Sequence, residues 1–494
     1  PASLVILFVV LRLYHITTYS LWGGDTFTVV GSKMDWGGMF SYIVADIVHP
    51  PLIYILLKWW IELGGESVFW LRLLPDVFGI GLVIPFFLLC RELNLKPTET
   101  YLALLMVAVN GYLIHYSQEV RMYSMLAFWS VCSFWLFIRY FKSTGTGSGG
   151  LIALTVINLL AIYSHYYGWL VVGMEFLYLL LWRRNIWRFS LSIGFLALCF
   201  SPWTYLVIQQ ARSIGGLEHN LGWIPRPGLK DILNFYSTLI GPLGTATIKA
   251  LGLLFFNVPL GMWIWRLSRL GRKAETEDVI TISWLALLSF LPVALIFLVS
   301  QKFTEALWID RYFIFVAVPY LLLVSIAVNR LPNKWIRNGF IFLMALWSVA
   351  AGFTDLRTNR IAWASPQLGS RADWKSLARQ LSEAETDQDS AIKVYTLPVF
   401  SKGHLTGDYA ISTSMDYYLD AMDDQRFEMT YSASLESLLK HVEDNHFWIA
   451  YFDIPDWRPP AAERELSEKG YVVDNEFSYK YQHNQIIFLS VRRK

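Results

Sequence analysis

Long apolar runs recur along most of this chain, and they constrain its fold more than any other feature. A helix needs about 20 predominantly apolar residues to cross a bilayer. A shorter run at the start, with only about eleven residues before Arg12, is expected to be the end of a first crossing. Ten further runs of sufficient length lie near 68–90, 98–116, 122–141, 150–165, 167–182, 187–207, 246–265, 279–300, 311–329 and 338–353.

The composition agrees with a membrane location. The 494 residues are 55% hydrophobic and 16% charged, whereas soluble domains carry roughly 25% charged residues. The 22 Trp and 26 Tyr residues suit membrane–water interfaces, where amphipathic rings accumulate. A net charge of +2 without a long basic run gives no reason to expect a nucleic-acid partner. The three cysteines are far apart and show neither a metal-binding spacing nor a disulfide framework.

The distribution of basic residues predicts the topology. The stretch 50–63 is too short to cross and has Lys58 in its middle, so we interpret it as an interfacial helix anchored by its Trp pair. Positions 19–67 then form one large outer loop. Five basic clusters between alternate runs are assigned to the cytoplasm by the positive-inside rule. They are Arg91 and Lys96; Arg139 and Lys142; Arg183, Arg184 and Arg188; Arg266, Arg269, Arg272 and Lys273; and Arg330, Lys334 and Arg337.

The composition becomes polar after Phe353, which predicts a second domain over 360–494. Apolar stretches at 391–397, 447–452 and 486–491 are typical of strands, and amphipathic stretches at 373–381, 435–442 and 461–469 of helices. We therefore predict a polytopic α-helical membrane protein with about 11 transmembrane helices over 1–355 and a soluble α/β domain over 360–494. An odd number of crossings from a cytoplasmic start puts that domain outside, in the periplasm or its equivalent.

Several ionisable and polar residues gather on the predicted outer face. Such residues near membrane depth are costly and usually face a cavity or a partner, so each is a candidate site residue. They are Asp25, Asp46 and His49 in the first loop, Arg72 at the next helix, Glu119 and Arg121 in the second turn, His165 in the third, and Arg311 with Tyr312 at a late helix.

Each candidate also has a purely structural interpretation. Asp25 could cap a helix or be a solvated loop acid. Glu119 and Arg121 could close a tight turn as an ion pair, and His165 could bond to backbone at an interface. Arg72 and Arg311 could extend to lipid headgroups. Their shared location on one face is what favours a site.

A specific chemistry would use these groups together. A carboxylate near the membrane surface can take a proton from an acceptor hydroxyl. Two arginines, such as Arg72 or Arg121 with Arg311, can hold a phosphate leaving group. An apolar groove between helices can hold a polyprenyl tail. These elements describe glycosyl transfer from a lipid-phosphate sugar.

The order of short motifs also resembles a known family. It comprises Leu21-Trp22-x-x-Asp25, His49-Pro50-Pro51-Leu52, a Phe-Trp-Leu-Arg-Leu segment ending at Leu73, Tyr116 to Ser124, and Tyr163 to Gly168. The chain resembles the GT-C glycosyltransferases of the protein-O-mannosyltransferase and aminoarabinose-transferase type, most closely the bacterial family 39 members. The resemblance is firm over about 19–170, weaker to 330, and architectural beyond.

The resemblance implies transfer of a sugar from a polyprenyl-phosphate donor to a lipid, glycan or protein acceptor, with inversion, at the plasma membrane. It implies that Asp25 is the base, that Glu119 and Arg121 form the acidic-x-Arg turn, and that Arg311 and Tyr312 contact the donor phosphate. It also implies substrate-binding roles for Arg72 and His165, and we add Asp46 and His49 from the same loop.

One departure from the family concerns Thr26, which stands where the family usually has a second acid after Asp25. Glu119 or Asp46 could supply the missing carboxylate. Asp25 and Glu119 could also ligate a divalent cation, which some GT-C enzymes use. Alternatively the protein is a catalytically silent subunit of a larger complex. A lipid or solute transporter is a third interpretation, although the inverted repeats typical of transporters do not occur in the sequence.

Overall fold

The computed structural model describes residues 2–142, 148–183, 185–213, 224–241, 245–270, 276–302, 307–358, 373–385, 392–397, 399–401, 404–406, 408–432, 435–442, 444–453, 466–481 and 484–494. The chain divides into two compact units. The first comprises Pro1–Ile16, Trp36–Glu66 and Trp70–Ala362, and the second comprises Thr17–Asp35, Ser67–Phe69 and Trp363–Lys494.

The first unit is helical, and it makes the chain a multi-pass membrane protein. Its helices are Ala2–Leu13, Trp36–Asp46, Leu52–Gly64, Val68–Gly81, Val83–Glu92, Pro97–Ala108, Gly111–Ser117, Tyr123–Lys142, Ser148–Ser164, Gly168–Trp182, Ile186–Ser213, Leu229–Ile240, Ala246–Leu270, Thr276–Lys302, a 3-10 segment Asp310–Val316 that leads into Ala317–Asn329, and Lys334–Thr358.

Seven helical segments in the described residues are long and apolar enough to cross a membrane. They are Val68–Glu92, Tyr123–Lys142, Ile186–Ser213, Ala246–Arg266, Asp278–Lys302, Asp310–Asn329 and Lys334–Phe353. Three shorter apolar helices, Ala2–Leu13, Gly149–Ser164 and Gly168–Trp182, coincide with three other predicted runs. The predicted runs are thus helical, whereas the number of eleven crossings stays a prediction.

One predicted run, 98–116, is broken into two helices. Asn110 interrupts it, because its side-chain oxygen accepts the backbone N–H of Leu113 at 3.1 Å and so begins a new helix. The Asn110 amide also donates to the carbonyl of Leu239 at 2.9 Å. A single capping residue therefore divides a run that looked continuous in hydropathy.

The core of the first unit lies around Ala317–Asn329, where every residue is buried. A helix that is apolar on all sides must be surrounded by other helices. The helix Leu52–Gly64 confirms the predicted helical segment near 50–63, and its 13 residues give a length of about 20 Å. Of its tryptophan pair, Trp59 is 51% exposed, whereas Trp60 stacks on Trp70 at 4.3 Å with each indole N–H bonded to the other's carbonyl.

The second unit contains the sheet of the predicted α/β domain. Its strands are β1 Ile392–Thr396, β2 Val399–Ser401, β3 His404–Thr406, β4 Phe427–Tyr431, β5 His446–Asp453, β6 Tyr471–Tyr481 and β7 Asn484–Arg493. In the part of the domain described, five strands run in the order β4-β1-β5-β7-β6. The β1 strand is parallel to β4 and β5, whereas β7 is antiparallel to β5 and β6.

The three predicted strands correspond to the inner strands β1, β5 and β7. The two strands of this sheet that the sequence did not predict, β4 and β6, lie at its edges, and the unpredicted β2 and β3 pair with each other. Edge strands carry polar side chains that weaken the apolar signal. Two predicted helices are present as Trp374–Ala384 and Leu435–His441. For the third, near 461–469, positions 461–465 lie outside the described residues and 466–468 form a helical turn.

The first polar segment of the chain belongs to this second unit. Residues Gly23–Lys33 form a helix that packs against the helix Asp408–Asp420. The backbone N–H of Leu21 donates to the hydroxyl of Tyr418 at 2.7 Å. Ser20 donates to Asp373 at 3.0 Å. The compact units therefore differ from the partition into 1–355 and 360–494 at Thr17–Asp35 and Ser67–Phe69.

Candidate functional site

The centre of the candidate site is a contact between His49 and Arg121 in the first unit. One terminal nitrogen of Arg121 lies 3.1 Å from Nδ1 and 3.5 Å from Nε2 of His49. The hydroxyl of Tyr312 lies 3.4 Å from Nε2 of the same ring. All three side chains are buried. Three of the predicted residues are thus brought together from distant parts of the sequence.

The backbone before His49 is strained. Ile47 has a φ of 51° and is buried, although β-branched residues are genuine outliers in the left-handed region. Its carbonyl accepts a hydrogen bond from the Tyr166 hydroxyl at 2.9 Å, and the indole of Trp203 donates to that hydroxyl at 3.0 Å. The Trp203–Tyr166–Ile47 relay therefore holds the turn that presents His49.

His165 is a neutral imidazole with one ring nitrogen available. Its Nδ1 accepts the backbone N–H of Tyr167 at 3.1 Å, so the ring hydrogen is on Nε2. That Nε2 is buried and has no hydrogen-bond partner among the described residues. Burial, followed by His49, Arg121 and Arg311, holds the pKa of His165 well below its usual value. His165 can therefore donate a hydrogen bond to a bound molecule.

Aromatic rings line the same space. The Tyr312 ring lies 4.4 Å from that of His165 and 6.3 Å from that of Tyr123, with which it stacks. The guanidinium of Arg311 lies 5.7 Å from the centre of the Tyr123 ring and 5.8 Å from that of Tyr312. Cations are attracted to ring faces within about 6 Å. The two tyrosines thus hold Arg311 beside the His49–Arg121 pair.

Glu119 supplies a carboxylate next to these arginines. One of its oxygens lies 2.8 Å from Nε2 of His115, one turn earlier in the chain, and the other has no hydrogen-bond partner within the described part of the chain. Burial raises the pKa of Glu119, against the opposing effects of Arg311, Arg121 and Arg72. Glu119 is therefore within electrostatic range of three predicted arginines.

Two other predicted residues lie at the edge of this cluster. Asp46 approaches Nδ1 of His49 at 3.5 Å. Burial raises the pKa of Asp46 to about 6, although Arg121 and the backbone N–H of Val48 oppose the change. Arg72 is buried and donates to the carbonyl of Ile16 at 2.8 Å. Arg72 therefore forms a structural hydrogen bond, and its charge also opposes the rise in the pKa of Glu119.

The remaining predicted residue, Asp25, lies in the second unit. It occupies the first turn of the helix Gly23–Lys33 and is fully buried. An acid in a first turn is favoured by the helix dipole. Its neighbour Thr26 is also buried, with a hydroxyl that donates to the carbonyl of Gly23 at 3.1 Å. Asp25 is thus a helical residue and not a solvated loop acid.

The structure adds residues that the sequence did not single out. They are Ile47, His115, Tyr123, Tyr166 and Trp203. The spacing of His115 and Glu119, four residues apart, could have indicated their pairing, whereas the backbone conformation of Ile47 has no sequence signature. Within the described residues, no three His, Cys, Asp or Glu side chains are close enough together to hold a metal ion.

Comparison with known proteins agrees with the GT-C resemblance. The dolichyl-phosphate-mannose-protein mannosyltransferase family model matches residues 58–214. The structure is similar to ArnT from Cupriavidus metallidurans bound to undecaprenyl phosphate, with TM-score 0.59, 12% identity, and coverage of 99% of this chain and 97% of that one. The same protein in its apo state matches with TM-score 0.57, 14% identity, and coverage of 99% and 98%.

A mycobacterial arabinofuranosyltransferase, AftD, matches with TM-score 0.52 and 12% identity, covering 98% of this chain and 41% of that one. The search of curated protein sequences gave no match. At these identities the structural matches establish the fold. The fold of this chain is therefore that of the GT-C glycosyltransferases, and the mannosyltransferase family model covers the segment that carries Arg72, Glu119, Arg121 and His165.

Proposed function

We propose that this protein is an integral-membrane glycosyltransferase that moves a sugar from a polyprenyl-phosphate donor to a lipid, glycan or protein acceptor, with inversion at the sugar carbon. The observation that carries the proposal is the cluster of buried Arg121 and His165 with partly buried Arg311, against the rings of Tyr123 and Tyr312. Two arginines grouped beside a histidine donor attract an anionic group.

A phosphate group suits this cluster. Arginine presents several N–H donors that match phosphate oxygens, and its charge-assisted bonds are stronger than neutral ones. The unpartnered Nε2–H of His165 supplies a further donor. Three of the described acids, Glu119, Asp46 and Asp310, bring negative charge near these arginines. The pKa values of Glu119 and Asp46 are raised by burial, so these two acids are less charged than solvated ones.

We assign the reaction as follows. The acceptor hydroxyl attacks the sugar carbon as the bond from that carbon to the phosphate oxygen breaks. Asp25 takes the proton of the hydroxyl. Arg121 and Arg311 stabilise the charge that develops on the departing phosphate. Glu119, Arg72, Asp46, His49 and Tyr312 complete the proposed site.

We also propose a location. The alternating basic clusters favour a plasma (inner) membrane protein whose domain over 360–494 is extracytoplasmic. The proposed reaction would then take place on the extracytoplasmic face. The partition into a membrane domain over 1–355 and an outer domain over 360–494 is part of this proposal.

A transfer assay tests the function. Membranes carrying the full chain are given radiolabelled polyprenyl-phosphate sugar, and the wild type is compared with Asp25→Asn. We expect turnover to fall by at least about a hundredfold, as for loss of a general base. Asp35→Asn is the matched control, because Asp35 is exposed in the same segment, and it should retain wild-type turnover. Wild-type turnover in Asp25→Asn would contradict the proposed role.

The second candidate is a catalytically silent subunit that has kept the fold. Thr26 favours it, because a hydroxyl bonded to its own helix backbone cannot replace a carboxylate. The absence of turnover with any donor, together with stable co-purification in a larger complex, would support this alternative.

A further inference from the structure

Three buried polar side chains meet between the helices Tyr123–Lys142, Ser148–Ser164 and Gly168–Trp182. Ser133 Oγ lies 2.6 Å from Asn158 Oδ1 and 2.5 Å from Glu175 Oε1. Asn158 Nδ2 lies 2.6 Å from Glu175 Oε2. All three side chains are fully buried. The three short contacts close a ring, which we call the Ser133–Asn158–Glu175 ring.

The number of hydrogens available for donation in this ring determines the protonation state of Glu175. Each of the three contacts needs one donated hydrogen. Ser133 has a single hydroxyl hydrogen, and the Asn158 amide nitrogen faces either Ser133 or Glu175 but not both. These two side chains therefore supply two hydrogens, and the third must come from Glu175.

Alternative arrangements lead to the same count. If the Asn158 amide is turned over, its nitrogen faces Ser133 and its oxygen faces Glu175, which must then donate. If one Ser133 hydrogen were shared between Asn158 Oδ1 and Glu175 Oε1, one contact would lack a full donor and the carboxylate would stay ionised between the helices, which is the costly arrangement.

We infer that Glu175 is held as a neutral carboxylic acid that ties the three helices together. An ionised carboxylate between membrane helices is costly without a cation, and in the described structure the ring supplies only Ser133 and Asn158 as partners. The neutral form of Glu175 costs less free energy to bury, and its carboxyl hydrogen is the third donor that the ring needs. The ring thus converts a costly acid into a link between helices.

The ring also bears on the candidate site. The first of the three helices begins two residues after Arg121, the second ends next to His165, and the third begins just after Tyr167. The ring lies about 9–15 Å along these helices from those ends, from the helical rise of 1.5 Å per residue. We therefore assign Glu175 as a positioning residue that sets the spacing of Arg121 and His165. Only this step rests on the proposed function.

Infrared spectroscopy of the purified full chain tests the protonation. The wild-type minus Glu175→Gln difference spectrum at neutral pH should contain the carbonyl stretch of a protonated acid. Glu99→Gln is the matched control, because buried Glu99 pairs with the Arg330 cation at 2.9 Å and accepts the Lys96 N–H at 2.7 Å. Its difference spectrum should lack that band. A Glu175→Gln spectrum without the band would overturn the inference.

Stability and binding test the link between the helices. In Glu175→Gln, the introduced amide nitrogen can donate to Ser133 while the amide oxygen accepts from Asn158, so this variant should keep the melting temperature within about 1 °C. Glu175→Leu should lower it by about 5 °C, because it removes a partner from two buried polar groups. Equal losses in both variants would contradict a neutral acid in the ring.

The positioning step has its own readout. Glu175→Leu should weaken the binding of polyprenyl phosphate by about tenfold. Glu175→Gln should bind it like the wild type. Unchanged binding in Glu175→Leu, despite a lower melting temperature, would overturn the positioning role. Absence of polyprenyl phosphate binding in the wild type would instead count against the proposed function, and the infrared and melting results would still decide the state of Glu175.

Discussion

Arg121 approaches within 3.1 Å of Nδ1 of His49, and this contact fixes the charge of the imidazole. Arginine can only donate hydrogen bonds, so the ring nitrogen that it meets must carry a lone pair. Asp46 lies farther from that same nitrogen, at 3.5 Å, and would need it protonated to form an ion pair. Burial, Arg121 and Arg311 also hold the pKa of His49 well below its usual value. His49 is therefore neutral.

The neutral state of buried His165 predicts that the protein loses stability as the pH falls. Folded His165 stays neutral, whereas the unfolded chain takes up a proton below its ordinary pKa of about 6.5. The contribution of this group to stability is thus fully present above that pH and is lost as the pH falls. Between pH 7.5 and 5.5 the wild type should lose about 1 kcal/mol more than His165→Gln. Thermal unfolding in detergent at both pH values measures this, and identical pH dependence would contradict the neutral state.

The Trp203–Tyr166–Ile47 relay predicts an effect at a distance from the site residues. Tyr166→Phe removes the hydroxyl bonded to the carbonyl of strained Ile47, so the turn that presents His49 should loosen. We expect a donor KM raised by about fivefold with a smaller change in kcat, equivalent to about 1 kcal/mol of binding free energy. Tyr205→Phe, with its ring 62% exposed, is the control. An unchanged donor KM in Tyr166→Phe would show that the relay does not hold the site.

The pair of His115 and Glu119 predicts unequal effects of two substitutions. Glu119→Gln removes the carboxylate and should lower kcat/KM by about a hundredfold, the low end for a catalytic acid or base. His115→Gln keeps a donor within reach of Glu119 and should lower it by less than about tenfold, because the 2.8 Å contact can be partly replaced. Steady-state kinetics with the donor measure both. A larger loss in His115→Gln than in Glu119→Gln would reverse the assigned roles.

The hydrogen bond from Leu21 to Tyr418 predicts that the segment Thr17–Asp35 stabilises the second unit. Tyr418→Phe leaves the buried N–H of Leu21 without its 2.7 Å acceptor, which costs about 1–3 kcal/mol. Tyr471→Phe, at another buried tyrosine of the unit, should cost much less. Thermal unfolding of the two variants gives the comparison. Equal stabilities would mean that Thr17–Asp35 contributes little to this unit.

The helices and strands that bury apolar surface were predicted well from the sequence. The runs at 68–90 and 122–141 became the helices Val68–Glu92 and Tyr123–Lys142, because membrane helices need long apolar stretches. The edge strands β4 and β6 escaped prediction because their exposed sides are polar. Asn110 escaped because capping acts through one side chain and leaves the hydropathy unchanged.

The candidate site was predictable in its residues but not in its contacts. His49, Arg121 and Tyr312 stood out as polar residues near the ends of predicted crossings. However, His49 is 72 residues from Arg121 and 263 residues from Tyr312, and no local sequence pattern links them. The strain at Ile47 and the relay from Trp203 depend on backbone geometry that forms only in the folded protein. The roles of Asp25 and Glu119 remain predictions from the family resemblance.

The most direct test is equilibrium binding of polyprenyl phosphate to the purified protein and to Arg121→Met and Arg311→Met. Each variant removes a cation of the cluster, and loss of a charge-assisted bond should weaken binding by at least about tenfold. Arg269→Met is the control, because Arg269 is exposed and stacks on Trp265. We predict that Arg121→Met and Arg311→Met bind weakly and that Arg269→Met binds like the wild type. Equal affinity in all four proteins would contradict the assignment of this cluster as the phosphate site.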